Sequence, residues 1–453
     1  MTSEEIQKAI YNAFEPNIPA TPRFYADCKE ARGGSALVKK MIKRLKSAED
    51  ENLYYLFTGH LGCGKSSELL HLKDKLEKET TFFPVYIDFE EYLDKQDATL
   101  EDVFLGMISE IASRCRERFG IKSKAESYSL VKKLVDFLGD VNVKGEVGLP
   151  WDIAKLNIEK LKQNPSLRKQ VRDAIKNDEK KSLSGELNDF ILEIELRLKQ
   201  ETEFTKLVII ADSLEKIKRF EQEDSELVSQ KKLFIDRAEQ LRALPTNVIY
   251  TVPLFLYRSH YGTQLQQIYG NNVFPLPMVK IHQRGKFDEP FEIGRQELIE
   301  IINKRLRHTG TSIDRVFVES DEEDTDALKY LIKYSGGNIR SLIRLIQEAS
   351  IEVDELPIDF KAARESVKQE VRSFAASVRE SYWEKLAALE LSANQQIENG
   401  DDDYSKMLES LAVLEYMNGD ESETDDEVWY AVNPAIRRTI KFQEALKKLA
   451  PSE

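Results

Sequence analysis

The chain has 453 residues, 41% hydrophobic and 32% charged, with a formal net charge of −14. That length allows more than one domain, and the composition suits packed cores. The acidic balance excludes bulk nonspecific attraction to nucleic acid and leaves room only for a local basic patch.

No apolar run reaches the roughly 18 to 20 residues that cross a bilayer. The polar, acidic start, Met1 to Lys8, does not read as a secretion signal, so the expected location is the cytoplasm with no membrane contact. Cys28, Cys63 and Cys115 have no CxxC spacing, and the five histidines form no HxxxH or HxH pair. Neither a disulfide framework nor a dedicated zinc site is expected.

After a polar lead over residues 1–48, Ala36 to Lys46 reads as a helix with Val38, Met41, Ile42 and Leu45 on one face. Leu53 to Thr58 reads as a strand, and the segment from Lys65 carries a helical stripe of Leu69, Leu70, Leu72 and Leu76. Val85 to Phe89, Leu207 to Ala211 and Asn247 to Val252 read as buried strands, with Met278 to Ile281 as a weaker fifth. Runs apolar on both faces, separated by helical patterns, predict an α/β fold with a parallel sheet over residues 49–285.

The stretch between Lys65 and Asp212 is several times the roughly 30 residues of one βαβ unit. The excess, about 120–185, reads as a helical insertion with a candidate hairpin at Val141 to Val147. It also holds a basic stretch: Lys160, Lys162, Arg168, Lys169, Arg172, Lys176, Lys180 and Lys181. A solvated face is the expected role of these cations, with a partner contact as the sharper alternative. Residues 286–355 read as helical, with helices at Glu297 to Leu306, Ala327 to Tyr334 and Ile339 to Ile351, and Glu319 to Asp326 as an acidic loop. From about 370 to 453 a helix around Met407 to Tyr416, an acidic loop, a strand at Val428 to Val432 and a helix from Pro434 are expected.

Gly59-His60-Leu61-Gly62-Cys63-Gly64-Lys65-Ser66 matches G-x-x-x-x-G-K-[ST] at every fixed position. It lies between a predicted strand and a predicted helix, the context that gives the pattern meaning. Glycines let successive N–H groups turn toward phosphate oxygens, Lys65 reaches the β- and γ-phosphates, and the Ser66 hydroxyl can ligate Mg²⁺. The helix N-terminus adds positive potential, and Ser67 can donate to the α-phosphate. ATP with Mg²⁺ is the expected ligand. Cys63 is expected to contribute its backbone rather than its thiol.

Leu207 to Asp212 is an apolar strand ending in a carboxylate, where Asp212 can hold a water of the magnesium shell beside Ser66. Ser213, not an acid, follows Asp212, and the first available acid is Glu215. Glu215 is the candidate for polarising the attacking water, and slow hydrolysis is expected.

The glycine-rich loop, the Asp212-Ser-Leu-Glu215 segment and Val248-Ile-Tyr-Thr-Val-Pro253 resemble the STAND group of signalling ATPases within the wider AAA+ relatives. Ser335-Gly-Gly-Asn-Ile-Arg340 resembles the lid segment of those proteins, including origin-recognition-type ATPases. The resemblance implies Thr251 as a polar sensor at a strand end and Arg340 as a lid sensor of the γ-phosphate. Arg32-Gly-Gly34, preceded by Phe24-Tyr25, matches the segment that contacts adenine in such proteins. Arg237 and Arg242 are arginine-finger candidates by position alone.

The C-terminal stretch, 370–453, resembles a winged-helix domain, as commonly follows the lid in these families. Its wing would read Asp420 to Glu427, with six acids, which repels phosphates and turns the expected output toward protein contact. The resemblance implies an ATP-driven switch that controls self-assembly or a protein effector in signalling or antiviral defence. A DNA-associated AAA+ loader and a non-hydrolysing nucleotide scaffold are the alternatives.

Overall fold

The computed structural model describes residues 3–34, 36–48, 51–79, 81–121, 162–176, 182–223, 225–320, 325–398, 400–419 and 428–450. Strands β1 (Tyr54–Gly59), β2 (Phe82–Asp88), β3 (Lys206–Asp212), β4 (Asn247–Pro253) and β5 (Val273–Leu276) form one sheet in the order β2-β3-β4-β1-β5. Every neighbouring pair is parallel. Parallel neighbours need crossovers that lay helices on both faces, which is why β1, β3 and β4 are buried along nearly their whole length. The register brings the carboxyl ends of β1 and β4 level, with Gly59 opposite Pro253. In open α/β sheets that edge is where ligands bind.

Helix α1 (Ser3–Ala13) stands apart from the sheet, whereas α2 (Leu37–Ser47) and α3 (Lys65–Glu77) cover one face of it. Met41, Leu45, Leu69, Leu72 and Leu76 there meet Tyr55, Phe57, Val208, Ile210 and Ile249. The other face is covered by α4 (Leu100–Phe119) and α6 (Leu183–Glu201), with α5 (Pro165–Lys176) adding Val171 to the same core. Thr99 and Asp102 form a capping box at the start of α4.

A second core joins α7 (Glu292–Thr309), α8 (Ala327–Ser335), α9 (Ile339–Ile351) and α10 (Phe360–Ser377). Ile10 of α1 and Phe14 are fully buried in it, so the N-terminal lead packs against the helical lid. The last unit contains α11 (Trp383–Leu391), α12 (Asp402–Glu409), the antiparallel hairpin β6 (Val413–Met417) and β7 (Val428–Val432), and α13 (Ile440–Leu449).

The hairpin faces two ways. Val413, Tyr430 and Val432 pack on α11, α12 and α13. Leu414, Tyr416, Trp429 and Ala431 belong instead to the core beneath the sheet. Burying a large apolar side chain stabilises by about 1.5–3 kcal/mol, so the C-terminal unit is anchored on the face of the sheet covered by α2 and α3 rather than loosely tethered.

Three expectations need correction. The fifth strand is Val273–Leu276, not Met278 to Ile281. That second run is apolar because Met278 enters the sheet core while Val279 and Ile281 enter the lid core. Its amides bond outside the five-stranded sheet, Met278 to the Glu415 carbonyl in β6 and Lys280 to the Ala31 carbonyl. Met407 to Tyr416 is not one helix: α12 ends at Glu409, Leu411 takes φ 60°, and Tyr416 lies in β6. Alternation of Val413 and Leu414 between two cores calls for period two, which a helix cannot supply.

The basic stretch is not simply a solvated face either. Arg168 pairs with Asp94 at 2.8 Å and Asp97 at 3.2 Å, and Arg172 with Asp97 at 2.8 Å and with Asp102. Both arginines are buried, so they fasten α5 to the sheet domain. Val141 to Val147, Lys160, Lys180, Lys181 and the acidic segment Asp420 to Glu427 lie outside the described residues.

Candidate functional site

The glycine-rich loop bends through residues that only glycine adopts cheaply. Gly62 has φ 81° and Gly64 φ 105°, in the region where a Cβ costs about 1–2 kcal/mol. A Cβ on Gly62 would lie 2.6 Å from Asn338 Oδ1 and 2.7 Å from Arg340 Cβ. The lid therefore touches the loop directly. The Arg340 N–H donates to the Gly62 carbonyl at 3.1 Å, and Asn338 Nδ2 donates to the Leu61 carbonyl at 2.9 Å.

Lys65 opens α3 and is buried. Its ammonium donates to the carbonyls of Gly59 at 3.0 Å and His60 at 3.1 Å, and pairs with Glu215 Oε1 at 3.2 Å. Burial would raise the Glu215 carboxyl, but Lys65 and the Thr251 hydroxyl outweigh it and hold that carboxyl below its usual range. Thr251 Oγ1 also accepts from the Leu214 N–H at 3.1 Å, fixing the turn that carries Glu215. Lys65, Glu215 and Thr251 are thus one connected group.

Asp212 is fully buried at the end of β3. Burial, then the Glu215 charge, push its carboxyl up to about 6, against hydrogen bonds from Ser66, Tyr86 and the Ser213 amide. Ser213 sits at φ 67° in the left-handed region, so the chain turns sharply after Asp212. Asp88 lies opposite Asp212 in the register of β2 and β3. Ser66 and Asp212, with Asp88 beside Asp212, would offer hard oxygen donors suited to Mg²⁺. Among the described residues no group of three His, Cys, Asp or Glu side chains could hold a metal unaided.

Residues 16–28 form a strap across the start of α3. Ser67 Oγ accepts from the Ala20 N–H at 2.9 Å, and Tyr25 donates to Glu68 at 2.9 Å while stacking on His71 with ring centroids 3.9 Å apart. Buried Arg32 pairs with Glu68 at 2.9 Å and donates to the Cys63 carbonyl. Strap, lid and α7 enclose a cleft of about 110 Å³ that reaches Lys65 and Ser66, with Phe24, Ile301 and Ile343 at its apolar end. A second cavity of about 550 Å³ lies on the other side of Lys65, bordered by Glu215, Pro253 and Leu408. Arg340 borders both.

His60 borders the second cavity, and its ring reaches the C-terminal hairpin. Its Nε2 accepts from the Glu415 N–H at 2.8 Å, so Nδ1 carries the proton. Burial pushes this imidazole down to about 4, keeping it neutral. Glu415 is itself held by Arg258 at 2.6 Å and 2.9 Å. Cys63 is buried in the sheet core and, like the other two cysteines, is free.

The structure thus gathers Lys65, Ser66, Asp212, Glu215, Thr251 and Arg340 around Gly59 to Ser67. It does not gather the two finger candidates: Arg237 forks onto Glu221 at 3.0 Å and 2.9 Å, and Arg242 lies over the Tyr269 ring. Asn338, Tyr86, Asp88 and the His60–Glu415 contact escaped the sequence reading. Only Asn338 carried a local signal, as an N-cap after a Gly-Gly pair.

Residues 35–227, a little less than half of the chain, match the model described as the KAP family P-loop domain. No curated protein matches the sequence. The walker-type ATPase PABY2304 of Pyrococcus abyssi is 14% identical, with 96% of this chain and 99% of that chain covered and a TM-score of 0.48. Cdc6p from Pyrobaculum aerophilum is 12% identical, covering 96% and 98%, with a TM-score of 0.39. The Aeropyrum pernix ORC2 protein in ADPNP–ADP complexes is 11% identical over 96% and 98%, with a TM-score of 0.42. Among the described residues no helix is long and apolar enough to cross a membrane. A five-stranded parallel sheet, a glycine-rich loop at the end of β1 and the family match over 35–227 make this chain a P-loop NTPase by fold.

Proposed function

We propose that the chain is an ATP-driven switch of the STAND type, hydrolysing slowly and controlling self-assembly or a protein effector. The supporting observation is that the phosphate loop is gripped from three sides. Glu215 holds Lys65, the lid residues Asn338 and Arg340 hold Leu61 and Gly62, and the C-terminal hairpin holds His60. The cleft between strap and lid, about 110 Å³, is smaller than the roughly 300–1,000 Å³ of ordinary ligand sites. Admitting a nucleotide base there requires strap and lid to part, and binding free energy can bias that equilibrium only through such differential contacts.

In this reading the Mg²⁺–nucleotide supplies the phosphoanhydride bond and partly neutralises its charge. The backbone from Gly59 to Ser67 cradles the phosphates, Lys65 leaves Glu215 for the β- and γ-oxygens, and Ser66 and Asp212 hold the metal shell. Released from Lys65, Glu215 orients the attacking water, with Thr251 fixing its turn and Arg340 reading the γ-phosphate from the lid. Ser213 in place of a second acid keeps turnover slow. Hydrolysis by Glu215→Gln should fall by about 10²–10⁴-fold, the usual contribution of a positioned base. Particle mass by light scattering with Mg–ATP and with Mg–ADP tests the switch. A mass that differs between them supports assembly, and identical masses with identical proteolysis patterns refute it.

One observation favours a DNA-associated reading as the second. Helix α2 carries Lys39, Lys40, Lys43, Arg44 and Lys46 and no acid, beside a groove of about 640 Å³. Lys39, Lys40 and Lys43 are exposed and make no ion pair among the described residues. Three phosphate contacts would give a salt slope of about −2.7 on duplex DNA. A DNA affinity that ignores both salt and Lys39→Glu/Lys43→Glu disposes of this reading.

A further inference from the structure

Strands β2 and β3 run parallel with Tyr86 opposite Ile210 and Asp88 opposite Asp212. Side chains alternate across a strand, so Tyr86 and Asp212 share a face as diagonal neighbours, within reach of a long side chain. Val208 and Ile210 show which face it is: they pack with Tyr86 in the core beneath α2 and α3. Helix α3 begins on that face with Lys65 and Ser66.

The Tyr86 hydroxyl donates to Asp212 Oδ2 at 2.6 Å. The other oxygen, Oδ1, accepts from the Ser213 N–H at 2.7 Å. The carboxylate plane is therefore pinned at both oxygens by donors on two different elements, one on β2 and one on the turn after β3. Each carboxylate oxygen has about two lone pairs, which leaves one on each free for Ser66 and for a magnesium-bound water. A carboxylate pinned only by its own turn could rotate about its single bond. Nearby Lys65 would draw it, since the Lys65 ammonium already feels the Asp212 charge.

We propose that Tyr86 is the positioning residue for the magnesium shell, holding the Asp212 carboxylate in the orientation that accepts from a metal-bound water. The inference rests on the reading of Ser66 and Asp212 as the magnesium site. Outer partners of this kind typically carry 10–100-fold of metal affinity.

The test is Tyr86→Phe in the full chain, which keeps the ring in the core and removes only the hydroxyl. Free Mn²⁺ is followed by electron paramagnetic resonance in the presence of saturating ADP, and ADP affinity is measured separately in chelator. Mn²⁺ affinity should weaken about tenfold or more, with chelator-phase ADP affinity unchanged. The Mg²⁺ concentration for half-maximal turnover should rise by the same factor. Asp212→Asn should lose Mn²⁺ affinity too, and adding Tyr86→Phe to it should cost nothing more. Unchanged Mn²⁺ affinity in Tyr86→Phe overturns the proposal, as does equal loss of ADP affinity in chelator, which marks a merely structural residue. A native chain whose ADP affinity and Mn²⁺ retention are independent of each other overturns the magnesium-site reading itself, a result distinguishable from both.

Discussion

Asn338 is the residue whose loss most cleanly separates lid from loop. Its Oδ1 accepts from the Ser341 N–H at 3.0 Å, capping α9, and its Nδ2 donates to the Leu61 carbonyl at 2.9 Å. It is buried, so Asn338→Ala leaves a helix N-terminus uncapped and a loop carbonyl without its donor. An N-cap is worth about 1 kcal/mol, and losing the part-buried hydrogen bond to the Leu61 carbonyl costs about 0.5–1.5 kcal/mol. A total of about 2 kcal/mol corresponds to roughly 30-fold in the docking equilibrium. The assay is native-state hydrogen exchange at the Arg340 amide, which donates to the Gly62 carbonyl. Its protection should fall about 30-fold, while that of Ile249, central in β4, falls much less. Asn338→Asp keeps the capping oxygen but loses the donor, so it should fall between. Equal loss of protection at Arg340 and Ile249 refutes the reasoning, because lid and sheet would then open as one cooperative unit rather than as a hinge.

Other perturbations probe the contacts of the C-terminal unit. Burial, then the neighbouring Glu409, push the Glu226 carboxyl up to about 7. Its folded value lies above the unfolded one, so the folded chain holds the proton. The stability gained is complete below about pH 4.5 and is lost as pH rises through 7. The native melting temperature should therefore drop between pH 5 and 8, and Glu226→Gln should flatten that drop. Because the group is partly exposed, the difference should be on the order of 1 kcal/mol. Arg258→Ala strands the buried Glu415 carboxylate and should cost about 3–5 kcal/mol in urea denaturation. Replacing both residues with apolar ones of similar size should recover much of that loss.

What was legible in the sequence was what lies within one local motif. The loop from Gly59 to Ser66 and Asp212 at the end of an apolar strand each announce a backbone need: a tight glycine-built curl and a strand end. Tyr86 and Asp88 belong to the same site but become visible only once β2 and β3 are set in register, and no pattern within β2 marks them. Met278 to Ile281 misled for a related reason. An apolar run records burial, and burial between two cores looks the same as burial inside a sheet. Arg168 and Arg172 likewise showed their charge in the sequence but not the three aspartates, Asp94, Asp97 and Asp102, that absorb it.

The least legible feature bears most on function. His60 occupies a variable position of the loop pattern, where any residue satisfies the motif, and its side chain could have faced phosphate, solvent or core. It turns instead to the Glu415 amide, and Lys65 donates to the carbonyl of the same His60. One residue thus meets Lys65 through its backbone and the hairpin through its ring. The hairpin cannot ignore movement there, because Tyr416 also donates to the Gly336 carbonyl at 2.7 Å and Leu414 leaves no room for a Cβ on Gly336. Gly336 precedes Asn338 by two residues, so loop, lid and hairpin close a ring of contacts around Lys65. A shift of any one member must be taken up by the other two, since packed cores switch between arrangements more readily than they stretch. That ring is the physical basis for expecting nucleotide occupancy to be felt at the C-terminal unit.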